Sequence, residues 1–319
     1  MVKIKAVIIG VGNMGKNHLR TYLGIDSVSL LAIADLNKEE GQKLASNSSV
    51  KYYEDYKKMV LDEKPQLVSI CVPTSFHYEV AKFCMENGCH VLLEKPISMN
   101  YQHGVDLIGL AKERNIKFLV GHIERFNPAV KKVKEIIEKR EIGEITSIVC
   151  RRVGGFPPQI KDADIAIDLA IHDIDIVNYM IEDIPEKVFV NKKSNHIEKR
   201  ADSVEFFLLY KKASAYIQAN WITPVKIRSL SITGTEGYLE MDYITQKIQF
   251  YKSNYEKFRQ EFADFSDYVM RFSEPDVITI SVAKKEPLKE EMLYFIDCIL
   301  NNTDVNADFA LKALKIAIT

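Results

Sequence analysis

The chain has 319 residues, 47% hydrophobic and 27% charged, the composition of an ordinary globular protein and enough length for two hydrophobic cores. Its 43 basic and 44 acidic residues leave a net charge of -1, so no bulk field recruits nucleic acid or an anionic membrane, and neither is expected as a partner. No apolar stretch has the length of a membrane span, residues 1–5 enter a strand-like segment without a signal-peptide pattern, and five cysteines without a Cys-x-x-Cys pair argue for a reducing, cytoplasmic setting.

From the amino terminus, short β-branched runs alternate with amphipathic stretches. Strands are expected at Ile4–Ile9, Val28–Ala34, 67–72, 90–93 and 117–120, with helices between them. The strands are nearly all apolar, as when both faces of a parallel sheet are covered, so 1–122 reads as an α/β, doubly wound Rossmann domain. After a helix at 129–139 the pattern becomes alternating strands at 203–210, 213–221, 227–233 and 238–241, with bends at Lys211-Lys212 and 234–237. Helices at 289–301 and 308–318 close the chain. The region 123–319 therefore reads as an α+β domain with a large, mainly antiparallel open sheet, its terminal helices able to pack back on the first domain. The stretch 253–272 gives no clear pattern.

Gly10-x-Gly12-x-x-Gly15 lies where the first strand meets the first helix. There Gly10 makes a tight turn, Gly12 lets a pyrophosphate approach the backbone of Asn13 and Met14, and Gly15 permits close helix packing. Asp35 ends the second strand, where an acid binds the adenine ribose, and Leu36 follows it in place of a cation, which favours NAD over NADP. The loop carrying Pro73, Thr74 and His77 follows the third major strand, and Glu94-Lys95-Pro96 follows the next. Both belong at the cofactor end of such a sheet. Lys95 can meet nicotinamide and a substrate oxygen, or it is a plain surface lysine.

Asp168, His172 and Asp175, spaced i, i+4 and i+7, share one helix face opposite Ala170, Ile174, Val177 and Ile181. A carboxylate one turn from an imidazole suits a general base. The alternatives are a solvated face with an incidental histidine and, less fittingly, zinc, whose usual Cys/His spacing is missing; no metal is expected. Arg125 and Asn127, after the last Rossmann-like strand, read as substrate contacts or as domain-interface hydrogen bonds. His18, His90 and His103 read as structural or solvent-facing.

Together, Gly10-x-Gly12-x-x-Gly15 with His18, Pro73-x-x-x-His77, Glu94-Lys95-Pro96, Arg125-Phe126-x-Pro128 and Asp168-x-x-x-His172-x-x-Asp175 resemble the Gfo/Idh/MocA oxidoreductase family over essentially the whole chain. The resemblance implies NAD as cofactor, with Lys95, Asp168 and His172 as the catalytic set. His172 would take the proton of a sugar hydroxyl, and Lys95 would bind its oxygen. Copies would associate through the outer face of the second sheet as a homodimer or homotetramer. Val72 and Ala170 stand where the family often has Thr and Gly, which affects local geometry only. The sequence is similar to the branch that includes UDP-N-acetylglucosamine 3-dehydrogenases, so a UDP-linked amino sugar is the expected substrate. Another sugar or polyol dehydrogenase is the near alternative, and a catalytically silent NAD-binding regulator the distant one.

Overall fold

A computed structural model describes residues 3–156, 164–196, 200–252 and 276–319. The unreadable stretch 253–272 lies outside them. The chain divides into two compact units, Met1–Ile123 with Glu286–Lys315, and Glu124–Lys285 with Ile316–Thr319.

In the first unit, β1 (Ile4–Ile9), α1 (Asn13–Leu23), β2 (Val28–Ala34), α2 (Lys38–Ser48), β3 (Lys51–Tyr53), α3 (Tyr56–Glu63), β4 (Leu67–Ile70), α4 (His77–Glu86), β5 (His90–Glu94), α5 (Tyr101–Glu113) and β6 (Phe118–Gly121) alternate. All six strands are parallel, in the order β3-β2-β1-β4-β5-β6. That is the doubly wound order, with its reversal between β1 and β4. Ala6, Val7, Ile8, Val68 and Leu92 are completely buried. Each large aliphatic side chain hidden in this way stabilises the fold by about 1.5–3 kcal/mol. The three-residue β3, whose two tyrosines stay half-buried, is an edge strand that the apolar pattern did not announce.

The second unit holds α6 (Pro128–Glu138), β7 (Ile145–Val153), a wide turn with π-type bonding (Ala166–Ala170), α7 (Ile171–Ile181) and β8 (Lys187–Lys193). There follow β9 (Ser203–Leu209), β10 (Ser214–Asn220), β11 (Ile227–Gly234), β12 (Gly237–Asp242), β13 (Lys247–Lys252) and β14 (Asp276–Ile280). These strands form one sheet in the order β14-β13-β12-β11-β7-β10-β9-β8, antiparallel except where β10 runs parallel to β7. Four of the strands, β7, β8, β13 and β14, went unrecognised in the sequence because polar and charged residues interrupt them. The chain ends in α8 (Pro287–Leu300), which belongs to the first unit, and α9 (Asp308–Ala317). Among the described residues no helix is long and apolar enough to cross a membrane.

Candidate functional site

In the first unit the glycine loop is shaped by contacts that exclude side chains. Gly10 has φ +86°, and a Cβ there would lie 2.7 Å from the Cys71 carbonyl oxygen; one on Gly15 would lie 2.0 Å from that of Gly10. Gly12 differs, since a Cβ on it would meet nothing within 4 Å. Its missing side chain serves no internal packing and leaves open space over the amino end of α1. Side chains of Asn37, Asp55 and Asn100 cap α2, α3 and α5, whereas Gly12 gives α1 no side-chain cap. The first-turn N–H groups around Asn13, Met14 and Gly15, which have no acceptor earlier in the helix, suit an anion such as a pyrophosphate.

Asp35 ties this loop to the end of β2. Its Oδ2 accepts from the Val11 N–H at 2.7 Å, and Oδ1 accepts from the Asn37 N–H at 2.8 Å. Each oxygen keeps a further acceptor position for a ribose hydroxyl. Leu36 beside it is 85% exposed and carries no charge for a 2′-phosphate. The open space, the bare helix end and the placed carboxylate fit NAD. Asp35→Asn is expected to weaken NAD by about tenfold, the loss of a charge-assisted bond, and to narrow the preference for NAD over NADP. Steady-state KM values for the two cofactors check this; an unchanged ratio would remove Asp35 from cofactor selection.

Pro73 opens a 3-10 turn, Thr74–Phe76, in which Thr74 is buried. His77, expected at the cofactor, has a different place. Its ring is completely buried, with Nδ1 at 2.8 Å from the Pro96 carbonyl oxygen and Nε2 at 3.0 Å from that of Val72. It ties two loops together. Glu94, also expected at the cofactor, has an internal partner. Its side chain points inward, and Oε1 lies 2.9 Å from Nε2 of His18, itself wholly buried. Burial alone would raise the Glu94 pKa, but the hydrogen bond and charge of His18, aided by Lys95 and His77, bring it below the usual carboxylate value. Lys95, next in the chain and followed by a cis peptide bond to Pro96, is half-buried at the end of β5.

Glu291 on α8, which the sequence reading passed over, is completely buried near this pair. Desolvation, and then the charge of Glu94, push its pKa well above the ordinary value. A raised carboxyl holds its proton in the native state but loses it in the unfolded chain, so it destabilises progressively as pH rises above the unfolded pKa. Replacing Glu291 by Gln should therefore stabilise the protein, and by more as pH rises above the unfolded carboxyl pKa. Glu94, with its lowered pKa, acts oppositely and loses its contribution as pH falls. Melting both forms from about pH 5 to 9 checks the sign; parallel curves would mean that Glu291 is ionised in the native protein.

In the second unit, Asp168 lies in the wide turn and His172 in the first turn of α7, both half-buried. Such wide turns are frequent at functional sites, and this one departs from the regular helix assumed for the i, i+4 spacing. Asp175 follows His172 by three residues in α7. It is buried, and Arg125 grips it through Nε to Oδ2 and Nη2 to Oδ1, both at 2.7 Å, while the guanidinium lies 4.7 Å above the Tyr179 ring. Arg125, expected at the substrate, is thus engaged within its own unit. Asn127, expected there too, is 1% exposed: Oδ1 caps α6 by accepting from the Ala129 N–H, and Nδ2 donates to the Tyr243 carbonyl.

Asp173, beside His172, was also missed. It is fully buried and accepts from Nε and Nη2 of Arg152 at 2.8 and 2.9 Å, while Nη1 of Arg152 donates to Glu124 at 2.9 Å. Burial opposes the charge on Arg152, but Asp173 and Glu124 hold its pKa above the ordinary value. The signal lay in the period-2 pattern of β7, which puts Arg152 on the buried face with Ile148 and Cys150 and so demands a buried acid.

Among known proteins, the profile of an oxidoreductase family with an NAD-binding Rossmann fold matches residues 4–122, and that of the GFO/IDH/MocA C-terminal domain matches residues 130–240. A UDP-N-acetylglucosamine 3-dehydrogenase of Acidithiobacillus ferrooxidans is 26% identical over 251 residues, 79% of this chain and 78% of that one. An inositol 2-dehydrogenase/D-chiro-inositol 3-dehydrogenase of Lactiplantibacillus plantarum is 24% identical over 299 residues, 85% and 84% of the two chains. A solved structure of the Acidithiobacillus enzyme shares the fold at a TM-score of 0.86 and 24% identity, covering 100% of this chain and 96% of that one.

Proposed function

Because the chain belongs to the Gfo/Idh/MocA family of NAD-binding sugar and polyol oxidoreductases, we propose that it oxidises the 3-hydroxyl of UDP-N-acetylglucosamine to a UDP-linked 3-keto amino sugar. The reaction class is supported by a glycine loop fitted to NAD, with Lys95 in the same unit, and, within the second unit, by the half-buried Asp168 and His172. The likeness to the Acidithiobacillus enzyme over more than three quarters of both chains supports the sugar.

Bound nicotinamide supplies the acceptor for the hydride that leaves the sugar carbon. His172 accepts the hydroxyl proton, so the carbon gives up one hydrogen with its electron pair and the oxygen gives up one as a proton. Asp168 orients the imidazole and favours its charged form once the proton has arrived. The Lys95 ammonium donates to the reacting oxygen and stabilises the negative charge that develops there.

The second reading, an inositol or other polyol dehydrogenase, is favoured by the long alignment with the Lactiplantibacillus enzyme. A panel of UDP-N-acetylglucosamine, myo-inositol, glucose and other UDP-sugars, followed by the absorbance of reduced nicotinamide, separates the two. Turnover of a free polyol with silence on UDP-N-acetylglucosamine would reverse the order.

Copies of the chain are proposed to associate through the outer face of the eight-stranded sheet. Phe189, Phe207, Tyr216 and Val149 lie in register across β8, β9, β10 and β7 and are 55, 43, 37 and 38% exposed, an apolar row that water disfavours. Phe207→Glu should shift the sedimentation coefficient toward that of a monomer. An unchanged value would place the interface elsewhere.

A further inference from the structure

One end of the eight-stranded sheet carries more than the proton-transfer pair. Backbone bonds link its strand ends in a row: the Ile165 N–H donates to Ala201 O at 3.1 Å, that of Trp221 to Asp202 O at 2.9 Å, and that of Gly154 to Asn220 O at 3.2 Å. The turn bearing Asp168 leaves from this row at Ile165 and packs against β10. The Trp221 ring meets Phe156 edge to face, with centroids 5.7 Å apart, and the Arg200 guanidinium lies over it at 5.8 Å. Phe156 is 45% exposed, so most of the benefit of burying its ring is forgone in the protein alone. Arg228 is fixed by two carbonyls, its Nη1 donating to Val153 O at 2.6 Å and to Ile227 O at 2.9 Å. The neighbouring carboxylates of Asp173 and Glu124 are bonded to Arg152 instead.

We propose that this end of the sheet is a nucleoside-diphosphate subsite, in which Arg228 and Arg200 bind the diphosphate and the exposed face of Phe156 stacks on a pyrimidine base. An immobilised guanidinium presents paired N–H groups that match phosphate oxygens, and aromatic rings stack on any base. Burial and then the charge of Arg152 lower the Arg228 pKa, against the opposing charges of Asp173, Glu124 and, last, Asp168; a ligand held there by its diphosphate would lie near the proposed catalytic acid. The inference rests on the proposed nucleotide-sugar substrate and names the part of the chain that would recognise its carrier group.

Trp221 is the single tryptophan of the chain, so its fluorescence reports this place alone. The full-length protein is titrated with UDP, without cofactor or sugar, and Arg228→Gln and Phe156→Ala are titrated alongside. A saturable change is expected, with the apparent Kd raised at least about tenfold in Arg228→Gln, as loss of a charge-assisted bond dictates, and less in Phe156→Ala. The KM for UDP-N-acetylglucosamine should rise in step, with kcat falling less than KM rises. No saturable response to UDP, or equal affinity in both variants, would overturn the subsite. Turnover of UDP-N-acetylglucosamine without a UDP response would overturn it while leaving the proposed reaction standing. A UDP response without that turnover would keep the subsite and overturn the choice of sugar.

Discussion

His172→Asn is expected to lower turnover by roughly 10²–10⁴-fold, the usual contribution of a positioned general base, while the affinity for NAD stays within about twofold. Asn keeps a polar side chain of similar reach but cannot take up the hydroxyl proton. The fold should survive, because the helix beneath is anchored by Ile171, Ile174 and Val177, all fully buried, and His172 itself is only half-buried. A residue acting only on shape would instead change cofactor affinity and melting temperature together. Single-turnover reduction of NAD, measured beside NAD binding by calorimetry, separates the two outcomes; unchanged turnover would remove His172 from the mechanism.

One residue further along, the expected effect is on stability. Asp173→Ala leaves the Arg152 guanidinium, 5% exposed, with Glu124 as its remaining hydrogen-bonded carboxylate, and should cost about 3–5 kcal/mol. The paired change Arg152→Met with Asp173→Leu removes both charges and should recover much of that loss, since a buried ion pair repays little more than its own desolvation. Urea unfolding of the single and double variants checks this. A single variant as stable as the parent would mean that water reaches Arg152.

These neighbours show what local sequence can and cannot convey. Strands of the first sheet are legible because both of their faces are covered, so segments such as Ile4–Ile9 are almost continuously apolar. The glycine loop is legible because its three glycines fall within six residues, Gly10 to Gly15, although the Cys71 carbonyl that excludes a side chain at Gly10 comes from far along the chain. Ile145–Val153 is harder, since Thr146, Ser147, Arg151 and Arg152 break the apolar run, and only alternate positions reveal a strand with one buried face. Charge pairs are least legible. His18 meets Glu94 across 76 positions and Arg125 meets Asp175 across 50, so nothing in either neighbourhood announces the partner. For that reason the internal partners of Glu94, Arg125, Asn127 and Asp175 are not legible in the sequence. Lys95, Asp168 and His172 remain half-buried, which is what the proposed chemistry requires of them.

In the proposed reaction the carbon bearing the 3-hydroxyl of a UDP-linked amino sugar gives its hydrogen, as hydride, to NAD. UDP-N-acetylglucosamine carrying deuterium on that carbon tests it directly, with the reduced cofactor examined by mass spectrometry. One deuterium is expected in each reduced nicotinamide formed, with a slower hydride step than with the unlabelled sugar. Reduced nicotinamide that forms without the label would contradict it.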